Sequence, residues 1–314
     1  MTGSTAPLAP LLEGTGDIRA GFARTDDGLE LYYRVIGRSG PWIVCCNGVG
    51  VSTFFFRYIT EAFRQDHRVV VWDYRGHGRS APPPDPIHEA DLSITRNCAD
   101  LITVMDAAGV DAAAVLMGHS MGCQVILQAA LNAPDRVAGL VPMFGTYGRP
   151  LDTFMDSPLA RPAFELLYKV ARWGGKSGTR MLLPLYDNPL AAAVGGWTGL
   201  IDRHYADHVD IDRYMDHLVQ MDPRIFLRMV SLIADHDTGP HLPEIACPTL
   251  IIAAEKDLFT PLHRSHAMQR ALPNAELLVL ADGSHAAIVE HPETIERRIR
   301  RWFREQLQEL HGKP

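Results

Sequence analysis

The chain has 314 residues, of which 46% are hydrophobic, so it is long enough for one large domain or a core with one insertion and too apolar to be disordered. Its 37 acidic and 30 basic residues give a net charge of −7. This balance disfavours a nucleic-acid-binding protein, because contacts with phosphate groups require a basic surface.

The cysteines and the start of the chain indicate a cytoplasmic protein. The five cysteines form no CxxC pair, which is typical of free thiols rather than of a disulfide framework. The first residues lack the basic and apolar regions of a secretory signal, and residues 1–16 predict a flexible tail. No run of about 18 or more apolar residues predicts stable insertion in a membrane.

The core elements follow in chain order. Two strand-like segments, 18–24 and 29–36, flank the turn sequence Asp26-Asp27-Gly28 and predict a hairpin. Continuous apolar runs then alternate with segments of helical length and period, as expected for strands buried on both faces. These runs are 42–46, 69–72, 113–117, 140–144, 250–253 and 277–280. The pattern predicts an α/β fold, with helices on both faces of a mostly parallel central sheet.

One interval interrupts this alternation. About 100 residues between Tyr147 and Cys247 contain no strand-like run, and this is much longer than an ordinary connection. The interval has helical periodicity interrupted by proline and glycine. We therefore predict a helical cap over 149–246, inserted into a core formed by 17–148 and 247–314.

Several motif fragments suggest ligands but are incomplete. The GVG at 48–50 lacks the third glycine of a dinucleotide-binding loop, and the GKS at 175–177 lacks the first glycine of a P-loop. His204 and His208 have the spacing of metal ligands, but no further ligand pattern accompanies them. The arginine-rich segment 297–304 also carries an apolar helical stripe, which favours a solvated helix face. We expect no cofactor, no metal and no nucleic-acid partner.

The GHSMG segment at 118–122 is the strongest chemical signal. It lies directly after the predicted strand 113–117 and before a helical run. In this strand–turn–helix arrangement a strained turn exposes the serine at the carboxyl edge of the sheet. Gly118 and Gly122 lack the Cβ atoms that would collide where strand and helix pack so closely. Ser120 is therefore the candidate nucleophile.

A serine hydroxyl needs a base, and the base needs a carboxylate that orients it and stabilises its charged form. His285 follows the last predicted strand, where a loop would bring it over the same sheet edge. Asp257 follows the preceding strand and is the leading acid; Glu255 is its nearest rival, and Asp152 and Asp156 are weaker ones. The chain order of serine, aspartate and histidine is the one expected for this architecture.

Two other histidines and two backbone donors complete the candidate site. His119 adjoins the serine, so we expect the turn to point its side chain elsewhere, and we expect His77 to be structural. Acyl chemistry also requires donors for the developing oxyanion. We assign them to the backbone N–H of Met121, which follows the nucleophile, and to the N–H of Val49 in the loop after the first central strand.

These segments resemble the α/β-hydrolase superfamily over almost the whole predicted core. Besides the serine turn, residues 73–80 (DYRGHGRS) are similar to the family's DxRGxGxS loop, which is usually structural. The segments 248–257 and 283–285 resemble its acid-bearing strand and its histidine loop. Asn47-Gly48 replaces the usual His-Gly of the oxyanion loop, and an asparagine side chain can still hydrogen-bond that loop. The serine argues against the dehalogenases and epoxide hydrolases of this fold, because a resemblance to those enzymes would require aspartate at position 120.

The function expected from these residues is hydrolysis of a carboxylic ester or lactone that carries an apolar group. Apolar residues near the serine and in the cap would line the pocket, or would equally fill the cap's own core. These residues are Phe54, Phe55, Phe56, Met143, Phe144, Phe154, Met155, Trp173, Met181 and Trp197. The resemblance implies that a carbon–carbon bond hydrolase or an acyltransferase could use the same triad. A complete triad disfavours a non-catalytic receptor, and the sequence leaves acyl chain length and oligomeric state open.

Overall fold

The computed structural model of the protein describes residues 17–180 and 208–307. The predicted tail at 1–16 lies outside the described residues, and so do Met181, Trp197 and His204.

Eight strands form a single sheet. They are β1 (Ile18–Arg24), β2 (Glu30–Ile36), β3 (Trp42–Cys46), β4 (Arg68–Trp72), β5 (Ala114–His119), β6 (Val137–Met143), β7 (Thr249–Ala254) and β8 (Ala275–Leu280). Their order across the sheet is β1-β2-β4-β3-β5-β6-β7-β8. β2 pairs antiparallel with both β1 and β4, whereas all other neighbours are parallel. The predicted fold, a mostly parallel sheet with an antiparallel start, is confirmed.

Helices cover both faces of this sheet. The described helices are α1 (Arg57–Phe63), α2 (Ile94–Ala108), α3 (Met121–Asn132), α4 (Ala160–Arg180), α5 (His208–Gln220), α6 (Pro223–Ile233), α7 (Leu262–Ala271), α8 (Ala287–Glu290) and α9 (Pro292–Gln306). One apolar cluster joins the sheet to α2, α3 and α7, and a second joins it to α1 and α9. Burial on both faces explains why the strands are continuous apolar runs. The apolar stripe of α9 is buried, as the sequence predicts; its members are Ile295, Ile299, Trp302 and Phe303.

The central strands extend beyond their apolar runs. β5 continues to His119 because Gly118 pairs with Pro142 and His119 pairs with Met143 in the parallel ladder. The sequence prediction ended this strand at residue 117, where glycine and a polar residue interrupt the apolar pattern. The ladder thus extends to the residue before Ser120, so this serine lies at the very end of a central strand.

The interval between β6 and β7 contains the helical cap, represented by α4, α5 and α6. Its two ends are joined by a short neck, in which Gly148 and Asp237 form an isolated antiparallel bridge. Arg149 N–H donates to the His236 carbonyl at 2.8 Å, and Thr238 N–H donates to the Tyr147 carbonyl at 3.0 Å. The insertion therefore leaves the core and returns to it at one place.

A buried ion pair ties the cap to the core. Arg57 of α1 contacts the Asp210 carboxylate of α5 at 2.7 Å, and Asp210 is only 5% exposed. Within residues 17–180 and 208–307, no helix has the length and apolar character needed to cross a lipid bilayer. All five cysteines are free thiols, and four of them are buried.

Candidate active site

The turn after β5 holds Ser120 in an unusual backbone conformation, with φ 55° and ψ −118°. The two flanking glycines make this turn possible. A Cβ on Gly118 would lie 2.5 Å from the carbonyl oxygen of Gly122, and a Cβ on Gly122 would overlap the carbonyl oxygen of Cys46. Strand, turn and helix therefore pack too closely for any side chain at these two positions. This is the strained turn that the GHSMG segment predicts.

The structure brings Ser120, His285 and Asp257 together. Ser120 Oγ lies 3.0 Å from His285 Nε2. On the other side of the ring, His285 Nδ1 lies 2.9 Å from Asp257 Oδ2 and 3.1 Å from Oδ1. These side chains follow β5, β8 and β7, whose carboxyl ends meet at one edge of the parallel sheet. In this arrangement the imidazole can take the serine proton while the carboxylate holds the ring.

Asp257 is held as a carboxylate by its surroundings. Burial raises the pKa of Asp257, but the adjacent His285 ring and hydrogen bonds from Thr260 outweigh burial, and this pKa lies below its usual value. The backbone N–H groups of Phe259 and Thr260 each donate to Oδ1 at 2.9 Å, and Thr260 Oγ1 donates to Oδ2 at 2.6 Å. The carboxylate therefore keeps both its charge and its orientation.

The other acidic candidates lie elsewhere. The Glu255 side chain is exposed, and only its backbone joins the site region, through a hydrogen bond from its N–H to the Leu280 carbonyl. Asp152 forms ion pairs with Arg149 and Arg161. Asp156 is exposed.

The loop that carries His285 is braced by a residue that the sequence analysis did not identify. Glu290 in α8 is buried, and its carboxylate accepts hydrogen bonds from the N–H and the hydroxyl of Ser284. Lys256 N–H also donates to the Gly283 carbonyl at 3.1 Å. This bond links the loop that carries Asp257, the acid loop, to the histidine loop, which carries His285. Glu290 could be suspected only from its position five residues after the histidine.

The His119 side chain hydrogen-bonds the loop that carries His285 and not the Ser120 hydroxyl, which contacts the His285 ring. Its ring lies 5.1 Å from the His285 ring, and its Nε2 donates to the His285 carbonyl at 3.0 Å. Burial lowers the pKa of His119 to about 3, with a further contribution from His285, so this imidazole is neutral at physiological pH. His119 is the last residue of β5, and its side chain links the end of this strand to the loop that carries His285.

Met121 and Val49, the residues predicted to supply the oxyanion donors, both lie close to Ser120. Met121 is the first residue of α3, so its N–H belongs to the unpaired first turn of that helix. The loop at 47–50, called here the oxyanion loop, packs directly on the serine turn. A Cβ on Gly48 would lie 3.0 Å from Ser120 Cβ, and Val49 lines the same pocket as Ser120.

The pocket above Ser120 is small and apolar. The described residues line a partly open cavity of about 90 Å³, and their side chains include no Lys, Arg, Asp or Glu. The cap contributes Tyr214 from α5 and Phe226 from α6, and the acid loop contributes Phe259, whose ring stacks on His285 with centroids 5.0 Å apart. A cavity of this size suits a short, uncharged group.

The predicted pocket lining is only partly correct. Phe55 lines the pocket, whereas Trp173 is 92% exposed and Met155 is 44% exposed. The sequence analysis did not identify Tyr214 and Phe226, because helical periodicity marks the apolar face of a cap helix but not the part of the core that it covers. In the part of the chain that the structure describes, no cluster of three or more His, Cys, Asp or Glu residues is placed to hold a metal ion.

Comparison with known families agrees with this geometry. The profile of the alpha/beta hydrolase fold matches residues 41–292, which include the whole serine–histidine–aspartate arrangement. This chain belongs to the alpha/beta hydrolase fold family.

Several named proteins and solved structures are similar to this alpha/beta hydrolase. A putative carbamate hydrolase RutD from Pseudomonas savastanoi pv. phaseolicola is 28% identical over 82% of this chain and 92% of its own. The crystal structure of a hydrolase from Pseudomonas aeruginosa PA01 is 25% identical, with a TM-score of 0.71, over 92% of this chain and 99% of that one. Est816, described as an N-acyl homoserine lactone degrading enzyme, is 25% identical, with a TM-score of 0.63, and the match covers 90% of this chain and 100% of that one. Family and relatives together indicate a hydrolase that acts on small molecules.

Proposed function

We propose that this protein is a serine hydrolase that cleaves a carboxylic ester or lactone with a small apolar group through an acyl-enzyme. The observation that carries the proposal is the line of contacts from Ser120 Oγ through the His285 ring to Asp257, at 3.0 and 2.9 Å. A hydroxyl positioned 3.0 Å from an imidazole, itself held by a buried carboxylate, is the arrangement needed to generate a nucleophile.

The first half of the reaction forms the acyl-enzyme. Ser120 Oγ attacks the carbonyl carbon while His285 Nε2 takes its proton, and Asp257 stabilises the imidazolium that results. The N–H groups of Met121 and Val49 donate to the oxygen as it becomes negative. His285 then gives the proton to the leaving alcohol, and the carbon–oxygen bond breaks.

The second half returns the enzyme to its starting state. Water enters in place of the alcohol and loses a proton to His285 as it attacks the acyl carbon. The proton passes back to Ser120 Oγ when the carboxylic acid leaves. No step requires a metal or an organic cofactor, so we expect a chelator to leave the rate unchanged.

Carbamate hydrolysis is the second candidate, because relatives 28% and 29% identical to this chain are named putative carbamate hydrolases. The same residues would form a carbamoyl-enzyme, which water would then hydrolyse. A small cavity without charged side chains accommodates either an acetyl or a carbamoyl group.

The test combines active-site labelling with a substrate series. We expect a fluorophosphonate probe to label the wild-type protein at Ser120 and to leave a folded Ser120→Ala variant unlabelled. The p-nitrophenyl esters of acetate, butyrate and octanoate, a γ-lactone and a p-nitrophenyl carbamate would then be compared by kcat/KM. Folded wild-type protein that resists the probe and turns over none of these substrates would overturn the proposal. Faster turnover of the carbamate than of acetate would favour the second candidate.

A further inference from the structure

The loop after β4 contacts the oxyanion loop through the His77 ring. His77 Nε2 accepts a hydrogen bond from Gly50 N–H at 3.1 Å, and His77 Nδ1 donates to the Arg75 carbonyl at 3.1 Å. The Arg75 carbonyl can only accept, so Nδ1 carries the hydrogen and Nε2 presents its lone pair to Gly50. His77 is completely buried, and both of its ring nitrogens are therefore committed.

The ring remains in this form at physiological pH. The pKa of His77 is lowered to about 4, because burial and the nearby His217 of α5, with ring centroids 6.2 Å apart, outweigh the hydrogen bond to the Arg75 carbonyl. A protonated ring would have no lone pair for Gly50 N–H. The neutral ring is thus a permanent acceptor under ordinary conditions.

The oxyanion loop depends on such external hydrogen bonds. It contains two glycines, one of them Gly50 with φ 78°, so its own backbone is intrinsically permissive. At its start, Asn47 Nδ2 donates to the Trp72 carbonyl at 3.1 Å. At its end, the bond to His77 fixes the peptide plane between Val49 and Gly50. The Val49 N–H belongs to the preceding peptide plane, which lies between these two anchored ends of the loop and is restricted by both.

The residues just after the oxyanion loop are hydrogen-bonded to the same segment, the loop after β4. Asp73 Oδ1 accepts from Ser52 Oγ at 2.7 Å and from Thr53 N–H at 2.9 Å. Asp73 Oδ2 accepts from Arg79 N–H at 3.0 Å. The segment 73–80 therefore supports the chain on both sides of Val51, and His77 is its contact nearest to the predicted oxyanion donor.

We propose that His77 is a positioning residue for the oxyanion hole, which holds Gly50 N–H so that Val49 N–H stays directed at the reacting oxygen. This inference rests on the proposed function. His77 is not among the described residues that line the pocket, and its hydrogen bond to Gly50 links it to the oxyanion loop.

The test separates transition-state stabilisation from substrate binding. For His77→Leu we expect kcat on p-nitrophenyl acetate to fall about 10- to 100-fold while KM changes by less than about 3-fold. The affinity for a trifluoromethyl ketone inhibitor should fall by the same factor as kcat/KM, because its tetrahedral adduct places an oxyanion in the hole. His77→Gln, whose Oε1 can accept from Gly50 N–H, should recover most of both losses.

A matched control is His67→Leu. His67 is a buried histidine packed against Phe63 and Phe303, which belong to the apolar cluster that joins the sheet to α1 and α9. We expect it to lower the melting temperature without changing kcat or inhibitor affinity. If His77→Leu does not fold, His77→Asn replaces it, because the shorter amide reaches toward Arg75 but not Gly50.

The outcomes distinguish this inference from the proposed function. Wild-type protein that is not labelled at Ser120 contradicts the proposed function itself. Wild-type activity combined with unchanged kcat and inhibitor affinity in folded His77→Leu overturns only the role of His77. A fall in kcat without a matching fall in inhibitor affinity overturns it as well.

Discussion

The core and the cap contribute to the same pocket in different ways. The core supplies Ser120, His285 and Asp257, each placed at the end of a strand and held by hydrogen bonds to backbone or buried side chains. The cap supplies Tyr214 and Phe226, which reach the pocket from the faces of amphipathic helices. Under the proposed function, the core determines the reaction and the cap determines which substrates reach Ser120. Changes in the two regions should have effects of different kind and size.

The largest effect is expected in the core, at the carboxylate. Asp257→Asn should lower kcat by about 10³- to 10⁴-fold with little change in KM, because an amide cannot stabilise the imidazolium and favours the wrong tautomer of His285. Steady-state kinetics on p-nitrophenyl acetate would measure this loss.

Glu255→Gln is the matched control, since this side chain is exposed two residues away. We expect its kcat to equal that of the wild type. An Asp257→Asn variant with near wild-type kcat, or a large loss in Glu255→Gln, would assign the acid to Glu255.

The next effect concerns stability at acid pH in both regions. Burial lowers the pKa of His119 in the core to about 3 and that of His217 in the cap to about 4. As the pH falls below about 6.5, these two histidines bind protons in the unfolded chain but stay neutral in the folded one. The free energy of unfolding therefore decreases until the folded pKa is reached. Urea denaturation at several pH values between 7 and 4 would measure this decrease.

His217→Phe tests whether the cap shares in this acid sensitivity. We expect the variant to lose on the order of 3 kcal/mol less than the wild type between pH 7 and 4. The exposed His241→Gln variant serves as control and should follow the wild-type curve. Parallel curves for His217→Phe and wild type would show that this histidine is not held neutral by the fold.

The smallest effect is expected for the cap lining. Phe226→Ala removes a ring above the oxyanion loop and enlarges the cavity, so kcat/KM for the octanoate ester should rise about 10-fold relative to that for acetate. Phe164→Ala is the control, because Phe164 stacks on Tyr168 within the cap and is not among the described lining residues. Equal chain-length profiles in the two variants would mean that Phe226 does not limit acyl length.

The same contrast explains what the sequence could predict. The strands, Ser120 and His285 could be predicted because a buried strand and a GxSxG turn require particular residues at fixed spacing. The close approach of Gly122 to Cys46 shows why no larger residue fits in this turn. Tyr214 and Phe226 were not readable, since their placement depends on how α5 and α6 dock on the core. The contact of His119 with the His285 loop and the brace formed by Glu290 were missed for a related reason. Each joins a residue to a partner whose position only the folded chain defines.

The short neck at Gly148 and Asp237 has an evolutionary consequence. An insertion whose ends already touch can be exchanged for another of different length without moving the strands on either side, because closing the junction demands nothing new of the sheet. Replacing the cap between these two positions with an unrelated one should preserve the chemistry and change the substrate range. Recombination at this junction offers a direct route by which one reactive scaffold could acquire many substrates.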